Sequence, residues 1–246
     1  MKKNILLIGG SSGIGLSLIN QISEEHNVFV ACRSNESLPE NINYIKYDVL
    51  NDELDTSLIP DTIDSFIYFP GSINLRPFKS LSIESSKDDL EINLIGLIKS
   101  LKSVLKNLSN SNSASIVLFS TVAVQRGMPF HTSVSSSKGA IEGLAKSLAA
   151  ELSPKIRVNV IAPSIVNTPL ANRFLNNEIK IEKSANRHPL KRIGDPNDIS
   201  NLIDYLISEK SSWITGQIIA IDGGLSTIES NSVSYTHLTL PTILPV

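Results

Sequence analysis

Three glycines near the start of the chain have the spacing of a phosphate-binding turn. Gly9, Gly13 and Gly15 follow an apolar run from Ile5 to Ile8, which predicts a buried parallel strand, and they precede an apolar periodic segment that predicts a helix. Glycine suits such a turn because the backbone must take positive φ and approach the ligand closely. The N–H groups that open the following helix then bind negative charge. The stretch predicts a pyrophosphate site, and a glycine-rich turn without a ligand is the alternative.

The residues after the second predicted strand bear on which dinucleotide would bind there. That strand runs from Val28 to Ala31 and is followed by Cys32 and Arg33. At this position a carboxylate bonds the ribose 2′-hydroxyl of NAD, whereas a guanidinium can pair bidentately with the 2′-phosphate of NADP. Arg33 therefore favours NADP over NAD. The alternative is that Arg33 is a solvated surface cation.

The composition predicts one globular α/β domain. The chain has 246 residues, 41% of them hydrophobic and 19% charged, which is enough apolar material for a full core. A net charge of -2 without a long run of lysine or arginine predicts no binding to nucleic acid or to an anionic membrane. Cys32 is the single cysteine, so no internal disulfide can form and a cytoplasmic location is expected. No apolar run approaches the roughly 18 residues of a membrane helix, and no metal site is predicted.

Strands and helices alternate along the chain. The strands predicted from short apolar runs are 5–8, 28–31, 44–47, 65–69, 116–119, 158–162 and 217–221. Helical spacing is clearest in 94–108 and 141–152, and Asp195 followed by Pro196 opens a further helix. This alternation predicts a doubly wound parallel sheet with helices on both faces, whose ligands bind beyond the carboxyl ends of the strands. The site is expected on the edge that combines 9–15, 70–71, 120–121 and 163–168.

The stretch 163–194 is predicted to be irregular. A connection of that length in a compact domain is usually functional. We expect 170–194 to cover the substrate pocket with four apolar side chains, namely Phe174, Ile179, Ile181 and Leu190. They predict a mostly apolar pocket and do not identify a substrate.

Several ordered motifs together resemble the short-chain dehydrogenase/reductase family over about residues 3–228. They are GGSSGIG at the first turn, Asp48-Val49, Asn93 in EINLIG, Lys138 in SSSKGA, VNVIAPSIVNTPL and the ending GQIIAIDGG. The resemblance implies a single Rossmann-type domain, residues 1–228, with about seven parallel strands. It also implies an oxidoreductase that binds NAD or NADP and acts on a carbonyl or alcohol of a small molecule.

The resemblance also implies a set of cofactor contacts. They are Gly9, Ser11, Ser12, Gly13, Ile14, Gly15, Arg33, Asp48, Val49, Gly71, Lys138, Pro163 and Thr168. Asp48 would accept from the adenine amino group, with a plain turn aspartate as the alternative. Two motifs depart from the family pattern: Pro70-Gly71 stands where Ala-Gly is usual, and Pro163-Ser164 where Pro-Gly is usual. The cofactor site is therefore expected to be mostly intact.

The reacting end departs further from the family. The family uses asparagine, serine, tyrosine and lysine, which here correspond to Asn93, to Thr121 with Ser120 beside it, to Val134 and to Lys138. Valine can neither donate nor accept a proton, so ordinary carbonyl reduction is expected to be impaired. His131 lies three residues before Val134 and, with an unperturbed pKa of about 6.5, suits proton transfer near neutrality. The alternative for His131 is a surface loop residue.

Two hypotheses follow. The first is an NADP-dependent oxidoreductase with a proton relay rebuilt around His131, Thr121 and Lys138. The second is a non-catalytic NAD(P)-binding sensor or scaffold, which the valine at 134 motivates. A methyltransferase on the same sheet is disfavoured, because Lys138 would have no role in it.

The resemblance further suggests a homodimer or homotetramer assembled through the helices of 86–108 and 135–152. Residues 229–246 have no place in the sheet, and VSYTHLTLPT within them resembles a translated sequencing adapter. We interpret this tail as non-native run-through or disordered chain, with a short arm for oligomer contacts as the alternative.

Overall fold

Apolar runs along the chain form one sheet of seven parallel strands. The computed structural model describes residues 2–229. The strands are β1 (Asn4–Ile8), β2 (Asn27–Cys32), β3 (Asn43–Lys46), β4 (Ser65–Tyr68), β5 (Ala114–Phe119), β6 (Ile156–Pro163) and β7 (Ile218–Ile221). Their order is β3-β2-β1-β4-β5-β6-β7, so the direction of winding reverses between β1 and β4. The predicted doubly wound sheet is confirmed, and the reversal is where such sheets bind ligands.

Helices cover both faces of this sheet. They are α1 (Gly13–Ile22), α2 (Ile83–Leu90), a π-turn (Glu91–Ile95), α3 (Gly96–Ser109), α4 (Val122–Arg126), α5 (Thr132–Leu152), α6 (Glu178–Asn186) and α7 (Pro196–Ile207). On one face α3 and α5 bury residues such as Leu97 and Ile141 against the strands, and on the other α1 and α7 bury residues such as Leu18 and Ile203. Each face is thus closed by its own apolar core.

One sequence prediction about secondary structure is wrong in detail. The stretch 163–194 is not irregular throughout, since it contains a 3₁₀-helix (Pro169–Phe174) and α6. Both elements are short, and α6 buries none of its residues, so no apolar period marks them. Helix α5 begins at Thr132, before the apolar period of 141–152, because its first turns are rich in serine and carry few apolar side chains.

The predicted start of the helix after Asp195 is confirmed. Asp195 accepts from the backbone N–H of Asn197 at 2.9 Å, and Asp198 accepts from the backbone N–H of Asp195 at 2.8 Å. These reciprocal bonds form a capping box, with Pro196 at the first helical position. Across residues 2–229, none of the helices is long and apolar enough to cross a membrane.

Candidate active site

Two cavities lie side by side on the edge of the sheet where the strands end. The first, of about 360 Å³, follows the glycine turn and the ends of β2 and β3, and the second, of about 420 Å³, lies between β5, β6, α5 and α6. They share four lining residues, namely Ile14, Phe69, Gly71 and Leu170. A long ligand in the first cavity can therefore reach into the second. This is the edge on which the sequence placed the site.

The glycine turn of the first cavity has the geometry of an anion-binding turn. Gly9, Gly10 and Gly13 have φ of +74°, +101° and +54°, which favours glycine. Gly15 lies so close to the turn that a Cβ on it would be 2.2 Å from the Cα of Gly10. The N-cap residue of α1, Ser12, makes no side-chain capping bond and the first turn of α1 holds no acidic residue. The N–H groups at this helix end can thus bind a pyrophosphate.

The far end of the first cavity holds the residues predicted to contact adenosine. Arg33, Asp48 and Val49 all line it, and so do Ser11 and Ser12. The Asp48 carboxylate also accepts from the Leu50 backbone N–H at 3.1 Å, so it is a turn aspartate that faces the cavity as well. The Asn51 carboxamide Nδ2 also donates to this carboxylate at 3.1 Å, so the end of the cavity carries a guanidinium at 33 and a hydrogen-bonded carboxylate at 48.

Two predicted residues meet at the junction of the cavities. A Cβ on Gly71 would lie 3.0 Å from Oδ1 of Asn93 and 3.4 Å from Nζ of Lys138. Gly71 therefore gives both polar atoms access to the junction. Thr168 lines the first cavity and Pro163 the second. The structure thus places these predicted cofactor contacts around the two adjoining cavities.

A buried carboxylate behind this junction was not predicted. Asp89 is fully buried and accepts hydrogen bonds from the hydroxyls of Ser72 and Ser133 and from Nδ2 of Asn74, the last at 2.7 Å. Asn93 joins this network, because its Nδ2 donates to the Ser72 hydroxyl at 3.0 Å and to the Asp89 backbone carbonyl at 2.8 Å. The network orients the Asn93 side chain. The sequence signal for Asp89 was an acidic residue four positions before Asn93, on the same helical face.

Two polar groups at the junction, the Asn93 carboxamide oxygen and the Lys138 ammonium, remain available to bind a ligand. Oδ1 of Asn93 is buried and has no hydrogen-bond partner among the described residues. Burial lowers the pKa of Lys138 to about 8, against the opposing effect of the Asp89 carboxylate. A lysine whose pKa lies this close to neutrality, with an amide oxygen nearby, suits proton transfer and hydrogen bonding to a ribose hydroxyl.

The wall facing the junction carries the remaining predicted residues. Ser120, Thr121, His131 and Val134 all line the second cavity, and Val134 lies on α5 one turn before Lys138. The Ser120 hydroxyl donates to Oε1 of Glu142 at 2.6 Å, and the Thr121 hydroxyl accepts from the Ala123 backbone N–H at 3.3 Å. The His131 Nδ1 lies 2.7 Å from the Pro129 carbonyl oxygen. With that carbonyl as acceptor, Nε2 is the ring nitrogen of His131 left for a ligand.

A serine and histidine pair on the opposite wall was also missed. The Ser164 hydroxyl lies 2.8 Å from Nε2 of His188, whose Nδ1 lies 2.7 Å from the Ser184 carbonyl oxygen. Since that carbonyl can only accept, Nδ1 carries a proton and the neutral ring accepts from Ser164. His188 is 3% exposed. The sequence offered one signal for this pair, the serine at 164 where the family pattern has glycine. His188 lies 24 positions away from Ser164, so no local motif joins the two residues.

The lid predicted over the pocket is only partly correct. Leu170 and Phe174 line the second cavity, but Ile179 and Ile181 do not, and Ile179 is 78% exposed. Leu190 lines a smaller neighbouring cavity of about 160 Å³. The residues of this segment that line the second cavity are instead Lys180, Lys183 and Arg187. The apolar positions of α6 therefore lie on its other faces.

Known proteins resemble this chain over most of its length. A family model described as enoyl-(acyl carrier protein) reductase matches residues 18–226. A tropinone reductase homolog of Arabidopsis thaliana is 30% identical over 253 residues, which span 94% of this chain and 95% of that protein.

Solved structures agree in fold. ElxO with NADP bound has a TM-score of 0.83 and 25% identity, covering 92% of this chain and 99% of its own. A 4-hydroxyisoleucine dehydrogenase complexed with NADH has a TM-score of 0.83 and 27% identity, covering 93% of this chain and 100% of its own. With the family match, the seven-stranded sheet and the motifs on its edge, these likenesses show that the chain belongs to the short-chain dehydrogenase/reductase family.

Proposed function

We propose that residues 1–228 form one dinucleotide-binding domain that acts as an NADP-dependent oxidoreductase on a carbonyl or alcohol of a small molecule. The observation that carries this proposal is the convergence of Asn93 and Lys138 behind Gly71, where the two cavities join. The bound nicotinamide would supply or accept the hydride. Lys138 would hold the ribose hydroxyls and Thr121 or Ser120 would orient the substrate oxygen, while the second cavity excludes water from it.

The choice of NADP rests on Arg33. Arg33 follows β2 and lines the first cavity beside Ser11 and Cys32. Similar structures hold NADP in one case and NADH in another, so the family likeness does not choose between them. A guanidinium at this place favours the extra phosphate, since it pairs with phosphate oxygens in a planar, bidentate manner.

Replacing Arg33 by glutamine is the test of this proposal. We expect wild-type protein to bind NADPH more tightly than NADH, and Arg33→Gln to lose about tenfold to a hundredfold in NADPH affinity, the range of a charged hydrogen bond. NADH affinity should stay within about twofold. Titration of cofactor fluorescence measures both without a substrate. Failure of wild-type protein to bind either cofactor would contradict the proposal, and equal losses for both cofactors would contradict the role of Arg33.

The proton relay is the altered part of the site. With valine at 134, we propose that His131 transfers the proton to or from the substrate oxygen. Three observations support His131: it lines the second cavity together with Val134, its Nδ1 is engaged by the Pro129 carbonyl, and it is partly exposed and can exchange protons with solvent. Asn93 and the Asp89 network behind Lys138 would keep the ammonium in place.

The His131 relay predicts a specific loss of turnover. With 9,10-phenanthrenequinone as the carbonyl probe, His131→Ala should slow NADPH oxidation by about 10²-fold, the contribution of a general acid, and leave NADPH binding unchanged. His26→Ala, at a histidine that lines neither cavity, is the control. If His131→Ala kept full activity while Ser164→Ala or His188→Asn lost it, the proton would come from that pair and the role of His131 would be wrong.

A non-catalytic NAD(P)-binding sensor or scaffold is the second candidate. The observation that favours it is Val134, an apolar and 4% exposed side chain at the place where the family has a phenol. Such a protein would bind NADPH and turn over no carbonyl compound. Assembly as a dimer or tetramer through the helices of 86–108 and 135–152 and a cytoplasmic location are proposed for either candidate from the family resemblance.

A further inference from the structure

The second cavity has a marked imbalance of charge. Four of its lining residues are cationic: Lys138, Lys180, Lys183 and Arg187. The same lining includes no aspartate or glutamate. The rest of the wall is largely apolar, with side chains such as Phe119, Met128, Val134, Leu170 and Phe174. A ligand that complements this wall is apolar over most of its length and negative at one end.

The cations of α6 are segregated from its acids. Lys180 and Lys183 of α6 and Arg187, the residue that caps its C-terminus, are spaced by three and four residues and so share one face, which lines the cavity. Glu178 and Glu182 share another face and do not line it. Like charges four residues apart, as at 183 and 187, destabilise a helix by a few tenths of a kcal/mol. A helix with only a structural role would be more stable if its basic and acidic residues alternated around it.

These cations also lack acidic partners. The ion pairs among residues 2–229 join Lys3 with Glu209, Lys99 with Glu91 and Arg192 with Asp198, and none includes a cation of α6. Lys180 donates to the Asn176 carboxamide oxygen at 2.8 Å, which places its ammonium without neutralising it. Lys183 and Arg187 therefore present their charge to the cavity.

We propose that the substrate is an apolar carbonyl or hydroxy compound with one terminal anionic group, a carboxylate or a phosphate. The anion binds Lys183 and Arg187, with Lys180 beside them, and the apolar body lies along Leu170 and Phe174. This orientation directs the reacting carbon toward Lys138 at the junction with the first cavity. The assignment rests on the proposed oxidoreductase function, which it extends by naming the class of substrate.

Simple amphiphiles test this assignment without turnover. Octanoate and octyl phosphate carry the two anionic groups on the same chain, and octan-1-ol is the neutral counterpart. On the full-length protein at low salt, at least one of the two anions should bind at least about tenfold more tightly than the alcohol, as measured by calorimetry. The tighter of the two anions identifies the head group. Added salt should weaken binding of the anions and leave the alcohol unchanged.

A double substitution locates the anion site. Lys183→Gln/Arg187→Gln should weaken anion binding about tenfold, the sum expected for two exposed charge pairs, without changing the affinity for octan-1-ol or NADPH. Lys102→Gln/Lys106→Gln on α3 removes the same charge away from the cavity and should have no effect. The four substituted positions are all exposed, so we expect the fold to be kept.

Three results would overturn the assignment: equal binding of anions and alcohol, unchanged anion binding in the double variant, or no binding of any amphiphile. The parallel NADPH titration separates this failure from failure of the proposed function. Protein that binds NADPH but no anion would contradict the substrate class alone. Protein that binds an anion through α6 but neither cofactor would contradict the oxidoreductase.

Discussion

In a His131→Ala background, Val134→Tyr is expected to raise NADPH-dependent reduction of a carbonyl probe by about 10²-fold or more, because general acid catalysis contributes about 10² to 10⁴ in rate. Val134 lies one turn before Lys138 on α5, and its side chain lines a cavity of about 420 Å³. The added phenol therefore has room, and its hydroxyl can approach the Lys138 ammonium. The initial rate of NADPH oxidation with 9,10-phenanthrenequinone measures the effect.

Two further variants distinguish proton transfer from a change in pocket shape. Val134→Phe in the same His131→Ala background adds the ring without the hydroxyl and should remain near the rate of His131→Ala alone. Lys138→Met in the tyrosine background should remove the gain, because the lysine stabilises the phenolate by its charge. Equal rates for the phenylalanine and tyrosine variants would contradict a missing proton donor. No turnover by the tyrosine variant, with NADPH bound, would favour the non-catalytic candidate.

Gly15→Ala is expected to abolish measurable NADPH binding, a loss of at least about a hundredfold, and to lower the free energy of unfolding by about 1–3 kcal/mol. A Cβ at this position would lie 2.2 Å from the Cα of Gly10 and 3.0 Å from the Gly10 carbonyl carbon. Backbone atoms cannot move aside as a flexible side chain does. The turn must therefore shift away from α1, and its N–H groups lose their common direction toward the pyrophosphate.

Gly143→Ala is the matched control for this substitution. Gly143 lies within α5, and a Cβ there would meet nothing within 4 Å. Alanine should stabilise the helix by about 0.5–1 kcal/mol and leave NADPH affinity unchanged. Chemical denaturation and fluorescence titration measure the two effects separately. Normal NADPH binding by Gly15→Ala would show that close packing between the turn and α1 is not needed for the site.

The parts of the fold that the sequence predicted well depend on local signals. The apolar run before Gly9 predicts β1, and the N-cap Asp195 with Pro196 predicts the start of α7, because their neighbours in the chain determine both. The 3₁₀-helix and α6 carry no such signal. They lie on the surface of the molecule and their amphipathic pattern is weak, so a single chain without its tertiary contacts does not mark them.

The same division holds for the site. Gly9 and Gly13 belong to a short motif that follows β1 and Lys138 to a short motif within α5, and the fold brings both motifs to the cavities at the strand ends. Asp89 and His188 belong to none. Asp89 binds Ser133 across 44 positions and His188 binds Ser164 across 24, so their burial and partners depend on how distant segments pack. Residue types alone would have placed both on the surface.

By itself, then, the sequence determined the alternating strands and helices, the glycine turn after β1, the family resemblance and the valine at 134. Tertiary structure decided which polar groups surround that valine and which sign of charge lines the second cavity. The physical reason is that periodicity and turn chemistry act between neighbours in the chain, whereas burial and electrostatics depend on packing between distant segments. The cationic face of α6 is a candidate ligand site only because the fold places a cavity against it.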